Sequence, residues 1–184
     1  VQTPQKPDAM PVVNEGYRSV LSNRNFLLLW LGQIFSQLGD RVVFVVFIVA
    51  ITATYGASDT YNSYLYVAFT IPAILLTAIA GVFVDRWPRR AVLVITNIAR
   101  ALFVGFLPFA VSHSLMGIYG IAFLLSSATQ FFVPAEAATI PMIVRKPQLM
   151  AANSLFTTTM MASVIFGLAL GDPLINIFGL SNVH

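Results

Sequence analysis

The chain has 184 residues, of which 58% are hydrophobic and 9% are charged, and its net charge is +3. Soluble domains contain about 25% charged residues, so this composition excludes an ordinary soluble protein and predicts an integral membrane protein with several spans. Because the chain contains no cysteine, disulfides, thiolate catalysis and cysteine-based metal sites are also excluded.

The N-terminal segment is polar and rich in proline, so we expect a disordered cytoplasmic tail over residues 1–15. It does not resemble a cleavable signal peptide. The next segment, Gly16 to Asn25, mixes apolar and basic side chains, which predicts a short amphipathic piece that lies in the membrane interface. Its basic residues, Arg18 and Arg24, indicate the cytoplasmic side.

The first span is predicted over residues 26–55, although Asp40 and Arg41 interrupt its apolar sequence. The apolar pieces on either side have about thirteen and fourteen residues, whereas a crossing helix needs about twenty. One helix is therefore expected to hold both charges at membrane depth. The alternative is an interfacial helix that ends near Leu38, followed by a span that begins at Val42.

Four polar residues of this span are spaced by three or four positions and share one helical face: Gln33, Ser36, Gln37 and Asp40. A membrane helix turns such a face toward the protein interior or a water-filled cavity. We expect Asp40, Gln33 and Gln37 to line a substrate cavity, and Asp40 to bind and release a coupling proton. The alternatives for Asp40 are a local pair with Arg41 and a cap at a helix irregularity.

Four further apolar segments predict the remaining spans, at residues 61–84, 91–111, 115–133 and 149–178. The loops at 57–60 and 112–114 contain no lysine or arginine, whereas the turns at 85–90 and 145–146 are basic. The positive-inside rule places the basic turns in the cytoplasm. The predicted topology therefore has five spans, a cytoplasmic N-terminus and termini on opposite sides of the membrane.

Two charged residues lie within or near these later spans. Arg100, about ten residues into the third span, has three possible roles: to neutralise an acid in a central cavity, to pair near Asp85, or to extend its guanidinium to the interface. Glu136 is expected near the cytoplasmic end of the fourth helix. We expect it to form a salt bridge or gate contact with Arg145 or Lys146 rather than to transfer protons.

Prolines and glycines punctuate the last two spans. Pro134 and Pro141 are expected to break or kink the end of the fourth helix, because proline lacks a backbone N–H. Gly167 and Gly171 form a small-x-x-x-small face that predicts close helix packing, and Pro173 follows them.

The turn between the second and third spans has the order Gly-x-x-x-Asp-Arg-x-x-Arg-Arg over residues 81–90. This order resembles the loop 2–3 signature of the major facilitator superfamily. The resemblance implies that Gly81 lets two helices pack closely, and that Asp85 accepts hydrogen bonds when the cytoplasmic side closes. It implies countercharge and contacts with lipid phosphates for three residues: Arg86, Arg89 and Arg90. The alternative is a solvated basic loop that only sets topology.

Two further stretches resemble drug-type exporters of that superfamily. Residues 132–144 and 149–155 resemble the fourth-to-fifth helix connection of macrolide-efflux and siderophore-export proteins, and residues 24–26, 31–33 and 39–40 resemble their first helix. The exporter pattern has Gly-Pro where this chain has Gly171, Asp172 and then proline. The resemblance implies an all-α fold of polytopic membrane helices, with about five spans of a six-helix half bundle, in an incomplete domain over residues 16–184.

The function implied by the resemblance is secondary active transport: proton-coupled antiport that exports a small amphipathic molecule by alternating access, in a bacterial inner membrane. The expected partners are the substrate, protons, lipid and a missing C-terminal half, with no nucleic acid. We find no P-loop, zinc motif, nucleophile elbow or dinucleotide fingerprint, and we expect no enzyme activity, cofactor or metal. The alternative is a truncated, non-transporting subunit packed against a larger membrane complex.

Overall fold

The computed structural model describes residues 16–177, which form six α-helices and one 3₁₀ turn at Lys146–Gln148. The helices are α1 (Tyr17–Leu21), α2 (Arg24–Tyr55), α3 (Asp59–Arg86), α4 (Arg89–His113), α5 (Leu115–Ile143) and α6 (Leu149–Ile177). This range contains no strand, so the all-α fold class is confirmed. The tail predicted over residues 1–15 lies outside the described residues.

Five helices, α2 to α6, are long and apolar enough to cross a membrane, which confirms the expected number of spans. Large apolar side chains cover much of the outer surface of the bundle; Phe35 and Ile74, for example, are 72% and 73% exposed. Such a surface suits lipid, because helices satisfy their backbone hydrogen bonds internally and lipid solvates apolar side chains.

α2 is a single helix of 32 residues, and at 1.5 Å per residue it is about 48 Å long. It continues without a break through Asp40 and Arg41, so both charges lie near its middle. The alternative in which an interfacial helix ends near Leu38 is therefore wrong. Because the hydrocarbon core is about 30 Å thick, the ends of α2 extend beyond it.

α5 extends further than the sequence pattern predicts. It continues through Pro134 and Pro141 to Ile143, whereas the fourth span was expected to end at Val133. Neither proline ends the helix, because membrane helices tolerate a missing N–H where neighbouring helices cover the site, and α5 packs against both α3 and α4. As a result, Glu136 lies within the helix and not in a connection.

α5 is also the central helix of the bundle, since it contacts α2 and α6 in addition to α3 and α4. Near the α4–α5 connection at Ser114, one hydrophobic cluster joins α2, α3, α4 and α5, and it includes Phe47, Leu65, Leu107 and Ile118. At the opposite end a second cluster joins α1, α2, α5 and α6, and it includes Val20, Phe26, Ile140 and Phe156. The middle of the bundle, between these clusters, contains Asp40 and Arg100.

Asn23 connects the ends of two helices. Its Oδ1 accepts hydrogen bonds from the backbone N–H groups of Asn25 at 3.1 Å and Phe26 at 3.4 Å, which caps the N-terminus of α2. Its Nδ2 donates to the carbonyl oxygen of Ile143, the last residue of α5, at 2.6 Å. One side chain therefore satisfies free backbone groups of both helices.

We expect Asn23→Ala to lower the free energy of unfolding by about 1–3 kcal/mol, because an N-cap contributes about 1 kcal/mol and a further hydrogen bond about 0.5–1.5 kcal/mol. The measurement is an SDS titration of the purified protein in mixed micelles, followed by tryptophan fluorescence. Asn25→Ala is the matched control, since Asn25 is exposed. An equal loss in both variants would contradict the capping role.

Candidate functional site

An ion pair joins α2 to α4 across the middle of the bundle. Arg100 Nη2 donates to Asp40 Oδ1, and Arg100 Nη1 donates to Ser36 Oγ at 2.7 Å. Ser36 and Asp40 are four positions apart on α2, so they present their oxygens on the same face. The Arg100 side chain is 8% exposed and the Asp40 side chain 39% exposed. The guanidinium is therefore buried, while the carboxylate is partly accessible.

This geometry distinguishes among the roles that the sequence leaves open. Arg100 pairs with an acid of the bundle interior, and not with Asp85. Asp40 pairs across the bundle, and not with its neighbour Arg41, which is exposed on another face of α2. A role for Asp40 in proton coupling stays a prediction.

Arg41 lies against α6. A Cβ atom added at Gly167 would come within 2.8 Å of Arg41 Cδ, so glycine at this position lets the arginine stem pass close to the α6 backbone. The other two predicted packing positions, Gly171 and Pro173, belong to the last turns of α6, where the side-chain surroundings lie outside what the structure describes.

The polar residues of α2 divide between two partners. Ser36 and Asp40 face Arg100, whereas Gln37 accepts a hydrogen bond from Ser163 Oγ of α6 at 2.6 Å through its Oε1. Adjacent positions on a helix point about 100° apart, which explains why Ser36 and Gln37 reach different helices. Gln33 is 5% exposed, and its Oε1 has no hydrogen-bond donor.

A cavity of about 420 Å³ opens beside the ion pair. It is formed by α2, α4 and α5, and its lining includes Phe35, Asp40, Asn97, Arg100 and Leu125. A smaller hollow of about 250 Å³ lies on another side of Asp40, between α2, α3 and α5. The carboxylate is therefore accessible from two sides, in surroundings that combine apolar and polar groups.

The lining of the larger cavity differs from the sequence-based expectation in two ways. Neither Gln33 nor Gln37 lines it in this conformation. Asn97, which the sequence analysis assigned no role, does line it. A polar residue three positions before an intramembrane arginine shares its helical face, and that spacing is the signal that points to Asn97.

The charged residues of the α3–α4 turn are largely in contact with solvent. Asp85 is exposed and accepts no hydrogen bond from any residue in the range 16–177. Arg86 and Arg90 are exposed as well, whereas Arg89 is half-buried and donates from Nη1 to Met142 Sδ of α5 at 2.7 Å. The turn thus contacts the end of α5 through Arg89 in this conformation.

Gly81 does not lie in a close helix contact here, because nothing lies within 4 Å of the position that a Cβ would occupy. The close packing that the motif implies at Gly81 is therefore absent from this conformation. A gate formed by Gly81, Asp85 and the three arginines of the turn stays a prediction.

Glu136 occupies an unexpected environment. The gate contact expected for Glu136 stays a prediction, but its side chain is 7% exposed and, among the described residues, no salt bridge joins it to Arg145 or Lys146 in this conformation. The reason is the length of α5: its end at Ile143 places Glu136 about 10 Å inside the helix. One turn before Glu136, the Phe132 ring lies against Arg100, with 5.4 Å between Arg100 Cζ and the ring centroid.

Comparisons with known proteins agree with this architecture. Residues 29–183 match the family model described as Major Facilitator Superfamily. The chain is 26% identical over 170 residues to "Uncharacterized MFS-type transporter YkuC" of Bacillus subtilis (strain 168), an alignment that covers 88% of this chain and 38% of that protein. It is also 26% identical over 162 residues to "Uncharacterized MFS-type transporter YfiS" of the same organism, with the same coverage of 88% and 38%.

The chain therefore spans 38% of the length of these two relatives. No solved structure matches it at a significant level. Within residues 16–177, no group of three histidine, aspartate or glutamate side chains is placed to hold a metal ion. Because the family model matches most of the sequence and five apolar helices form an all-α bundle, this chain is a multi-pass integral membrane protein that belongs to the Major Facilitator Superfamily.

Proposed function

We propose that this chain is part of a secondary active transporter that exports a small amphipathic molecule in exchange for protons. Membership of the superfamily supports transport, and one observation supports proton coupling: the Asp40–Arg100 pair in the middle of the bundle, beside an open cavity. Ionisable residues inside a membrane are costly, so they pair with one another and are typical of ion or proton pathways.

Protonation of Asp40 would change how α2 and α4 interact. Arg100 attracts the carboxylate while Asp40 is charged, and a proton that enters through the cavity removes this attraction. The proton thereby shifts the relative stability of two arrangements of α2 and α4, which is the requirement for coupling to a conformational change. In the alternating-access mechanism, two six-helix halves rock about a central site. The second half would form the wall of that site opposite α2 and α4.

The cavity suits an amphipathic ligand. Its walls include the apolar side chains Phe35, Val43 and Leu125, and its polar groups are Asn97 and the ion pair. Ligand sites commonly combine an apolar lining with a few polar groups that fix orientation. The resemblance of residues 132–144 and 149–155 to macrolide and siderophore exporters is our reason for proposing export of such molecules across the bacterial inner membrane.

The test is transport by the complete protein in everted membrane vesicles. The probes are ethidium, a macrolide antibiotic and a catecholate siderophore. We expect at least one probe to accumulate with dissipation of the proton gradient, and a protonophore to abolish its accumulation. Accumulation driven by sodium alone would contradict proton coupling. A non-transporting subunit would move no probe and would co-purify with a larger membrane complex.

Sidedness gives a separate prediction, because the chain contains no cysteine. In an otherwise cysteine-free protein, Trp87→Cys in the basic α3–α4 turn should react with a membrane-impermeant maleimide in everted vesicles only. Ala57→Cys, in the uncharged α2–α3 turn, should react in intact cells only. Both positions are exposed, so reagent access is comparable. The reverse pattern would invert the topology and contradict the proposed direction of transport.

A further inference from the structure

Glu136 is a buried acid of α5 that the Asp40–Arg100 pair does not use, and it lies one helical turn from a residue that contacts Arg100. It follows Phe132 by one turn of α5, and the Phe132 ring contacts the Arg100 guanidinium. Long side chains on a helix extend toward its N-terminal end, which for Glu136 is the direction of Phe132.

A buried polar atom on each of α2, α4 and α5 has no hydrogen-bond partner. Glu136 Oε1 has no hydrogen-bond donor, and Arg100 Nε has no acceptor, although both atoms are buried. Gln33 Oε1 of α2 is a third buried atom without a partner. A buried ionised carboxylate without a paired cation is costly, whereas a protonated carboxyl is neutral and gains an O–H donor. The arrangement therefore suits a protonated Glu136 while Arg100 is paired with Asp40.

The other charged groups near this site leave Arg100 as the shared cation. α5 contains no charged residue besides Glu136, and α6 contains none between Leu149 and Gly167. The charges of α3 lie at its two ends. On α2, Arg41 is next to Asp40 in sequence, but its stem lies against Gly167 of α6. On α4, Arg89 contacts Met142 near the end of α5, six positions beyond Glu136, and Arg90 is exposed. Among the described residues, Arg100 is thus the one cation that both pairs with Asp40 and contacts α5 one turn before Glu136.

We propose that Asp40 and Glu136 share Arg100 and one proton, so that Glu136 is a second proton-binding residue of the pathway. In the arrangement seen, Arg100 pairs with ionised Asp40 and Glu136 holds the proton. In the second arrangement, Asp40 has bound a proton, Arg100 has moved to Glu136, and Glu136 has released its proton. Each exchange binds one proton at Asp40 and releases one at Glu136, and the three groups keep a net charge of zero. This relay rests on the proposed proton coupling and extends it.

Infrared spectroscopy of the complete protein in liposomes at neutral pH tests the relay. The signal is the carbonyl stretching band of buried, protonated carboxyl groups, identified by its shift in D₂O. We expect Glu136→Gln to remove one such band. Asp40→Asn should remove the same band, because the released Arg100 then ionises Glu136. Arg100→Gln should add a second band, because both acids become neutral. Asp59→Asn, at the exposed start of α3, is the control and should change nothing.

An unchanged spectrum in Glu136→Gln would overturn the assignment of the proton to Glu136. A Glu136 band that persists in Asp40→Asn would overturn the sharing of Arg100. If Glu136→Gln yields no monodisperse protein, the Asp40→Asn and Arg100→Gln spectra decide the relay by the same criteria. The spectra require no substrate. If the wild-type protein and its variants give the expected bands but the wild type shows no proton-coupled export, the proposed function is contradicted and the sharing of Arg100 and one proton still stands.

Discussion

Asp40→Asn should reduce proton-driven export by the complete protein to the background of vesicles without the transporter. Asparagine preserves the shape of the side chain, but it has no negative charge to hold Arg100 and it cannot bind a proton. The measurement is substrate-induced dissipation of a proton gradient in everted vesicles, with a probe that the wild type transports. Asp59→Asn is the matched control, because it removes an exposed acid at the start of α3.

Counterflow distinguishes a coupling role from a structural one. Exchange of labelled for unlabelled substrate without a gradient needs binding and alternating access, but it needs no net proton movement. We therefore expect Asp40→Asn to retain counterflow while it loses proton-driven export. Loss of both activities in a folded variant would assign Asp40 to substrate contact or to packing. Undiminished proton-driven export would reject Asp40 as a coupling residue.

Arg100→Gln should produce the largest loss of stability among single substitutions at the site. Removal of one partner from a fully buried ion pair costs about 3–5 kcal/mol, because the other group must either stay charged without compensation or take up a proton. Asp40 retains 39% exposure, so we expect a loss at or below the lower end of that range. The measurement is SDS unfolding in mixed micelles, followed by tryptophan fluorescence.

A double-mutant cycle isolates the pair. Asp40→Asn in the Arg100→Gln background should restore part of the lost stability, because the double variant has no carboxyl group at position 40 that must be protonated or left unpaired. Couplings between contacting residues reach about 0.5–3 kcal/mol. Arg90→Gln, an exposed arginine in the first turn of the same helix, is the control and should change stability by less than about 0.5 kcal/mol. Additive losses in the cycle would show that Asp40 and Arg100 do not stabilise each other.

Local sequence was sufficient to predict the membrane helices. A backbone in lipid must satisfy its own hydrogen bonds, so run length and hydropathy predict where helices cross. The same reasoning predicted a single helix through Asp40 and Arg41, because neither apolar piece is long enough to cross alone. It failed at the end of α5, because Pro134 and Pro141 weaken a helix locally, while the burial of α5 among its neighbours maintains it.

The sequence by itself determined that Asp40, Arg100 and Glu136 are unusual, since each is a charge within or beside an apolar segment where an uncompensated charge is costly. Only the tertiary structure decided that Arg100 pairs with Asp40 and contacts Phe132, which places it near Glu136. Asp40, Arg100 and Glu136 come from three different helices, and no local sequence pattern predicts the distances between their side chains. Partners are decided by how α2, α4 and α5 pack together, and that packing depends on the whole bundle.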